Sequence, residues 1–437
     1  MNAMTRPFPP NPQPNHYPVI VIGGGQAGLS ASWHLKQRGI AHVVFEKQRI
    51  AHEWREHRWD SFCLVTPNWQ CTLPGFPYQG SDPYGFMLKH EIVQYIEAFV
   101  ASFEPPVLEG VTVTRVSQHG GGYKVLTSIG EYTADEVIVA SGAYQVPVKP
   151  ASAERLPPTM LQMHAPQYRN AEALPEGAVL VVGTGQSGCQ IAEDLHLAGR
   201  KVHLCVGGAP RAPRRYRGKD AVEWLNQMGY YDIGIDEHPN KDRVRSKSNH
   251  YLTGRDGGRE IDLRKFAAEG MELYGRLDDI RGTTITVKPD LEKNLDSADA
   301  TLESIKDSID AYIARAGIDA PTEPRYVPVW KPAAERTAFD FAAAGITTVI
   351  WCIGYKADFR WIDVPVFDGR GYPGHDRGIT TVPGLYFIGL PWLYTWGSGR
   401  FSGVARDAQH IVERIASRLH SSAPRAMAGL NALALGS

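Results

Sequence analysis

The sequence contains the same glycine-rich pattern twice, and each copy stands between a buried-strand pattern and a helical pattern. The first copy is VIVIGGGQAG at residues 19–28, and the second is VLVVGTGQSG at residues 179–188. In such a unit the first glycine allows a tight turn, the second lets the backbone approach a phosphate, and the third lets the helix pack on the strand. The free N–H groups of the first helical turn then bind the phosphate. Two complete copies therefore predict two dinucleotide-binding domains.

Each copy predicts its own set of cofactor-binding residues. They are Gly23, Gly25, Gln26, Ala27 and Gly28 in the first copy, and Gly183, Gly185, Gln186, Ser187 and Gly188 in the second. The next strand of the first unit ends at Glu46, where a carboxylate can accept hydrogen bonds from a ribose diol, with Lys47 beside it as a further cofactor contact. That carboxylate would repel a 2′-phosphate, so the first site suits FAD or NAD.

The second copy differs from the first at the ribose position. Val206 replaces the acid there, and the arginine-rich stretch GGAPRAPRRYRGKD follows it. Arginine forks match phosphate geometry, so Arg211 and Arg214 are predicted to bind the 2′-phosphate of NADPH. The alternative is that the stretch is a solvent-exposed run of charge. With FAD in the first domain, NADPH in the second is the natural hydride donor.

The order of the motifs predicts an α/β fold of two Rossmann-like domains, with the NAD(P)-binding domain inserted into the FAD-binding domain. We expect the FAD-binding domain to comprise residues 1–150 and 330–437, and the NADPH-binding domain to comprise residues 151–329. Apolar residues at helical spacing predict a long helix over residues 291–314 and a closing helix over residues 403–419.

Composition excludes several classes of function. The formal net charge of -1 gives no overall field that would favour nucleic acid or an anionic membrane. No apolar run reaches the roughly 20 residues of a membrane span, and the N-terminal stretch lacks a signal-peptide core, so a cytoplasmic location is expected. The five cysteines form no CxxC pair, which is typical of free thiols in a reducing compartment. The histidines lack metal-binding spacings, so no metal is expected.

Four longer stretches resemble the single-component flavin-containing monooxygenases, a family with two dinucleotide-binding domains. Residues 53–78 resemble the segment after the first unit in plant auxin-forming flavin monooxygenases. ASGAYQVPVKP at residues 140–150 resembles the family's crossover, VIWCIGYKADFRW at residues 349–361 resembles its A-T-G-Y signature, and residues 384–408 resemble its closing flavin segment. The likeness covers residues 17–417 and is closest to bacterial flavin-dependent oxidoreductases of nitrilase-type gene clusters.

The resemblance implies a reaction and further site residues. NADPH would reduce FAD, molecular oxygen would form a C4a-hydroperoxyflavin, and a small organic substrate would be oxygenated at nitrogen, sulfur or a carbonyl carbon. The residues that it places at the cofactors are Trp54, Val65, Gly142, Ser402 and Gly403. Thr66 and Asn68 lie near the position of a family Thr-Asn pair and are the candidate catalytic hydrogen-bond donors. A structural turn role for Asn68, which follows Pro67, is the alternative.

Other interpretations stay open at this point. The family's fingerprint before the second domain survives only as His164 and Tyr168. An NADPH oxidase that releases hydrogen peroxide, a flavin disulfide reductase and a nucleotide-sensing protein without turnover are alternatives, although a reductase needs a redox-active cysteine pair. Whether the chain forms a homodimer, and whether His164 or the loop at Arg255 and Asp256 faces the active site, also stays open.

Overall fold

Two parallel sheets, each built around one glycine-rich unit, organise residues 15–422, which are the residues that the computed structural model describes. The predicted FAD-binding domain includes residues 1–14 and 423–437, which lie outside the described residues. The parallel strands of the first sheet, in spatial order, are Val107–Glu109, His42–Glu46, His16–Ile22, Gly130–Val139 and Leu385–Phe387. His42–Glu46, Leu385–Phe387 and the second halves of His16–Ile22 and Gly130–Val139 are largely buried, as expected for strands covered on both faces, whereas the edge strand Val107–Glu109 is partly exposed.

An antiparallel extension widens the first sheet. Gly122–Thr127 pairs with the first half of Gly130–Val139, whose second half belongs to the parallel part, and Val113–His119 pairs with Gly122–Thr127. The short strand Ile362–Asp363 borders this meander. The hairpin His375–Asp376 and Ile379–Thr380 joins Leu385–Phe387 at the other side. Late residues of the chain thus complete a sheet that early residues begin.

The second sheet is parallel throughout. In spatial order its strands are Leu161–His164, Ile346–Trp351, Ala178–Val182, Val202–Cys205 and Glu272–Tyr274. Beside it lies an antiparallel sheet of Leu277–Arg281, Thr284–Val287 and Ala338–Asp340. The predicted α/β class with two Rossmann-like units is therefore confirmed.

The strand pairing corrects the predicted return of the chain to the first domain at residue 330. Ile346–Trp351 lies in that range, yet it pairs with Leu161–His164 and Ala178–Val182 in the second sheet. Ala338–Asp340 also pairs within the second unit. The apolar run ITTVIW fills a central position of a parallel sheet, and composition alone does not reveal which of two similar sheets a buried strand joins. The remaining division into domains stays a prediction.

Eight α-helices cover the sheets within the described residues. They are α1 (Gln26–Gln37), α2 (His52–Glu56), α3 (Lys89–Phe103), α4 (Gln186–Leu197), α5 (Ala221–Gln227), α6 (Leu263–Ala268), α7 (Leu291–Ala316) and α8 (Val404–Ser422). The long helix predicted over residues 291–314 is confirmed as α7, which ends at the left-handed Gly317. Across residues 15–422, no helix combines the length and the apolar character that a membrane crossing requires.

Three short antiparallel pairs complete the fold. They are Thr72–Leu73 with Phe76–Pro77, Arg215–Tyr216 with Lys219–Asp220, and Val146–Pro147 with Tyr355–Lys356. The last pair joins the two crossover segments, because the chain leaves the first unit through one strand and returns through the other. This crossover ribbon therefore ties the exit from the first unit to the return into it.

Candidate functional site

The first glycine-rich loop requires glycine at two positions and leaves the third position open. Gly23 has a φ of +111°, and a Cβ there would lie 2.6 Å from the carbonyl oxygen of Ala140. A Cβ on Gly28 would lie 1.9 Å from the carbonyl oxygen of Gly23. Around Gly25, in contrast, no atom lies within 4 Å of the Cβ position. The loop therefore packs tightly against the sheet while its tip, at the start of α1, stays accessible to a phosphate.

The second loop repeats this geometry. Gly183 has a φ of +101° and approaches Cys352, and a Cβ on Gly188 would lie 2.0 Å from the carbonyl oxygen of Gly183. Gly185 is as open as Gly25. The Gln186 side chain exchanges hydrogen bonds with the backbone of Leu252, so it braces this loop. Ser187 lies partly exposed at the first turn of α4.

Glu46 is held at the edge of the first loop. Its carboxylate accepts hydrogen bonds from the N–H groups of Gly24, at 2.6 Å, and Gln48, at 2.8 Å. Each carboxylate oxygen can accept a second bond, so a ribose diol fits beside the loop. Lys47 is exposed next to it. The predicted ribose contact is thus oriented by the backbone before any ligand binds.

The closing segment before α8 meets the first loop from the opposite side. Gln26 donates a hydrogen bond to the carbonyl oxygen of Gly399 at 3.3 Å, and Ala27 touches Gly389. Trp54 stacks on Phe401, with ring centroids 5.7 Å apart and an interplanar angle of 23°. The sequence analysis had placed Trp54 at the flavin but had not singled out Phe401.

Ser402 and Gly403 provide a further test of whether this region fits a flavin. The Ser402 hydroxyl is buried and has no hydrogen-bond partner within residues 15–422. Gly403 packs against Gly397, and a Cβ there would lie 2.6 Å from the Gly397 carbonyl carbon. A buried hydroxyl without a partner is costly, and a polar ligand atom would satisfy it. These residues therefore fit a bound flavin nucleotide.

The crossover turn is fixed by a residue that the sequence analysis missed. Gly142 has a φ of +71° and an open Cβ position. Gln145 donates to the carbonyl oxygens of Gly142, at 2.8 Å, and Ser141, and it accepts from the N–H of Asp358 at 2.7 Å. One amide thus holds both crossover segments. In the sequence, the one indication of this role is that Gln145 follows Ser141 and Gly142 in the segment that resembles the monooxygenase crossover.

The two candidate catalytic residues lie in the loop region after α2. Asn68 is buried, donates to the carbonyl oxygen of Asp82 at 2.9 Å and accepts from the N–H of Met87 at 2.8 Å. These bonds match the structural role that was left as the alternative, because they fold residues 82–87 onto the loop. Thr66 is partly buried. The carbonyl oxygen of its neighbour Val65 accepts from Arg214 at 2.8 Å.

The prediction that Arg211 binds a 2′-phosphate is wrong. Arg211 is only 2% exposed, and its guanidinium bonds to Asp299 at 2.8 Å and to Glu260 at 2.9 Å. Burial alone would lower the pKa of Arg211, but the surrounding carboxylates, including Asp262, outweigh it and raise that pKa. Arg211 is not part of an exposed charge run either, because its carboxylate partners come from distant segments, whereas Arg215 of the same stretch is exposed.

Arg214 is corrected for the same reason. It is 1% exposed, pairs with Asp220 at 2.6 Å and stacks over Phe86 at 4.6 Å. With its bond to Val65, it joins the second unit to the loop after α2. Both arginines therefore hold the fold together, and neither is available to a cofactor phosphate.

Arg255 lies in the contact between the two units. Asp194 of α4 accepts hydrogen bonds from Arg255 at 2.7 Å, Tyr168 at 2.6 Å and Ser61 at 2.5 Å. Asp256 is exposed and pairs with Arg259. Burial lowers the pKa of His164, with Lys149 as the second cause. The buried Asp194 is thus a link between the units that no motif had indicated.

The thiols are all free and shielded. Cys63, Cys71, Cys189 and Cys205 are buried, and Cys352 is partly buried. Burial raises the pKa of Cys63 to about 11 and that of Cys71, Cys205 and Cys352 to about 12, and it also raises the pKa of Cys189 well above the usual value of a thiol. A thiolate is the reactive form, so none of these groups is activated.

Three potential metal ligands converge on α2 although their spacing predicted no site. One ligand atom each from His52, Glu53 and His57 lie within 4.8 Å of one another. The Nδ1 atom of His57 and a Glu53 carboxylate oxygen are 2.9 Å apart. The cluster is partly exposed and already bonded internally.

Comparison with known proteins agrees with this geometry. Residues 20–270 match the family model described as pyridine nucleotide-disulphide oxidoreductase. The chain is 33% identical over 400 residues to an oxidoreductase named CzcO-like from Geobacillus kaustophilus, covering 91% of this chain and 97% of the relative. It is 29% identical over 203 residues to the probable indole-3-pyruvate monooxygenase YUCCA4 of Arabidopsis thaliana, covering 46% of this chain and 49% of the relative.

The fold also matches that of a solved flavin-containing monooxygenase from Stenotrophomonas maltophilia. The TM-score is 0.62 at 19% identity, with 93% of this chain and 99% of that chain covered. The expected kinship with flavin-containing monooxygenase-like proteins is thereby confirmed, and the chain is a flavin-dependent oxidoreductase that belongs to the pyridine nucleotide-disulphide oxidoreductase family.

Proposed function

We propose that the protein is an FAD-dependent, NADPH-consuming monooxygenase of a small organic substrate. Its family includes oxidoreductases that pass electrons to disulfides, so the electron acceptor is the point to decide. The observation that carries the proposal is the state of the thiols. All five cysteines are free and shielded, and burial raises the pKa of each, Cys63 being the least affected with a pKa of about 11. Molecular oxygen is then the acceptor that requires no thiol on the protein.

The residues of the first unit would hold the FAD. Glu46 would bind the adenosine ribose, the open tip at Gly25 would bind the pyrophosphate, and Ser402 would donate to the flavin. Trp54 and Phe401 would pack beside the ring system. Bound FAD supplies hydride acceptance and oxygen activation, which in this proposal proceeds through a C4a-hydroperoxyflavin that oxygenates nitrogen, sulfur or a carbonyl carbon.

The second loop supports a second dinucleotide. Gly185 is open in the same way as Gly25, and the loop around it repeats the geometry of the first. Val206 provides no carboxylate to repel a 2′-phosphate, which favours NADPH over NADH even though Arg211 and Arg214 are engaged elsewhere. Enclosure of both cofactors between the units would keep water from the reacting atoms. A cytoplasmic location and a homodimer remain predictions.

The test is a comparison of product and peroxide. FAD-loaded protein is reduced with NADPH and mixed with oxygen in a stopped-flow spectrometer, with and without an amine, a sulfide and a ketone. We expect a transient near-ultraviolet absorbance that NADP⁺ prolongs, together with one oxygenated product per NADPH consumed.

Single-step reoxidation with stoichiometric hydrogen peroxide for every compound would establish the oxidase alternative. Acceleration by disulfides alone would establish the reductase alternative. Omission of NADPH is the control for non-enzymatic oxidation.

A further inference from the structure

The two glycine-rich loops differ at the residue between the first two glycines of their shared pattern. In the first loop that residue is Gly24, whose N–H donates to the Glu46 carboxylate at 2.6 Å. A Cβ on Gly24 would lie 3.0 Å from the Cβ of Glu46 and 3.1 Å from a carboxylate oxygen. Carbon atoms in contact normally stay about 3.5–4.0 Å apart. An acid at the ribose position is therefore compatible with a loop that carries no side chain at this point.

The backbone shows which residues of the second loop correspond to this pair. In both loops the first glycine donates a backbone hydrogen bond to the residue before the ribose position, at 2.8 Å to Phe45 and at 3.0 Å to Cys205. Val206 therefore stands where Glu46 stands in the first unit, and Thr184 takes the place of the middle glycine. The second loop has thus lost the acid and gained a side chain opposite it.

The Thr184 hydroxyl is bonded to the residue that follows Val206. It accepts from the N–H of Gly207 at 2.9 Å and lies 3.3 Å from the Gly207 carbonyl oxygen, to which it can donate. Thr184 and Val206 are each only 2% exposed, and Val206 belongs to the apolar core of the second unit. A carboxylate at position 206 would enter apolar surroundings, which is costly. Thr184 thereby fixes the turn after the strand without an acid.

The exchange also leaves two backbone donors available. In the first unit the Glu46 carboxylate accepts from the N–H groups of Gly24, at 2.6 Å, and Gln48, at 2.8 Å. The corresponding N–H groups of the second unit belong to Thr184 and Gly208, and neither donates to an acceptor within residues 15–422. Since the same pair of donors holds an anionic group in the first unit, the second unit offers it to an anionic group of the ligand.

We infer that Thr184, with the turn at Gly207 and Gly208, recognises the 2′ position of the adenosine in the second dinucleotide, in place of an acid or an arginine. The 2′-phosphate of NADPH then takes the place that the Glu46 carboxylate has in the first unit. Thr184 determines specificity because its side chain excludes an acid at position 206 and holds the turn. This inference rests on the proposed function, because it presumes a dinucleotide at the second loop.

The test measures binding of NADP⁺ and NAD⁺ to the oxidised, FAD-loaded protein by calorimetry. We expect NADP⁺ to bind at least roughly tenfold more tightly, as charge-assisted hydrogen bonds to the phosphate imply. Thr184→Gly combined with Val206→Glu rebuilds the arrangement of the first unit and should reverse this preference. Val206→Glu alone should weaken both dinucleotides without favouring NAD⁺, because Thr184 leaves no room for the acid.

A conservative pair of variants tests the hydroxyl separately. Thr184→Val keeps the shape of the side chain but removes the bonds to Gly207, so NADP⁺ should bind roughly three- to tenfold more weakly, while Thr184→Ser should retain the parent affinity. The control is Arg215→Met, because Arg215 is an exposed arginine of the adjacent basic stretch. It should leave the preference unchanged. Circular dichroism and retained FAD establish that each variant is folded.

Each outcome decides the inference. Equal binding of the two dinucleotides by the parent protein would overturn it, and so would a switch to NAD⁺ by Val206→Glu alone or a double variant that still prefers NADP⁺. Loss of the preference in Arg215→Met would assign the phosphate to the basic stretch and also overturn it. Binding of neither dinucleotide would refute the proposed use of NADPH together with this inference. A clear NADP⁺ preference without any oxygenated product would refute only the proposed monooxygenase activity.

Discussion

Replacing Arg211 by methionine should destabilise the protein without changing its preference between NADPH and NADH. The substitution keeps much of the apolar stem but removes the charge that faces Asp299 and Glu260. Breaking a buried ion pair usually costs about 3–5 kcal/mol. Asp299 keeps a 2.8 Å bond from Arg264, and Glu260 is partly exposed, so the lower end applies. Loss of the cation–π contact with Tyr326, at 4.4 Å, adds about 0.5–1 kcal/mol.

The free energy of unfolding is measured by urea titration of the FAD-saturated protein, followed by circular dichroism. Steady-state KM values for NADPH and NADH are measured on the same preparation. Arg215→Met is the matched control, because Arg215 lies in the same basic stretch, is exposed and makes only a 3.4 Å contact to the carbonyl oxygen of Gly257. The control should change stability by less than about 0.5 kcal/mol. A tenfold rise in the KM for NADPH alone, at unchanged stability, would refute this reasoning.

Three further predictions concern the loops and the histidines. Gly28→Ala should abolish FAD retention and lower the melting temperature of the apoprotein, because its Cβ would lie 1.9 Å from a carbonyl oxygen, whereas Gly25→Ala should weaken FAD binding and leave the fold intact. Glu46→Gln should weaken FAD binding by roughly tenfold in a fluorescence titration, since charge-assisted bonds to the ribose are lost; unchanged affinity would place the ribose elsewhere. Burial lowers the pKa of His203 from 6.5 to about 4, so the unfolded chain binds more protons between these values. Stability present above pH 6.5 is therefore lost as the pH falls toward 4, by roughly 3 kcal/mol. Urea titrations at pH 7.5 and 5 should show a smaller loss for His203→Gln than for the parent protein, while substitution of the exposed His90 should leave the loss unchanged.

The features that the sequence predicted well are those fixed by neighbouring residues. The positive φ of Gly23 and the close contact between Gly28 and the Gly23 carbonyl are local, so the spacing of the glycines is sufficient to predict them. The amphipathic pattern of α7 is local in the same sense. Glu46 lies beside the first loop because its distance from that loop is set by one helix and one strand, and its contact with a ribose stays a prediction.

The errors share a different cause, which is pairing between distant segments. The sequence of Ile346–Trp351 predicts a buried strand that could belong to either sheet. Only its pairing with residues 161–164 and 178–182 assigns it to the second unit. Asn68 looked like a donor to a ligand until residues 82–87 folded over it. In both cases the residue type was interpreted correctly, but the neighbour that decides its role lies elsewhere in the chain.

The arginines show why this limit affects the site more than the fold. In the sequence, the clustered Arg211 and Arg214 were the conspicuous candidates for anion binding. The structure changes that interpretation, because Glu260, Asp299 and Asp220 neutralise both side chains. An arginine can bind a ligand only with the charge and the N–H donors that its partners within the protein leave free. Since the assignment of those partners needs the whole fold, a basic stretch in the sequence does not by itself identify a phosphate site.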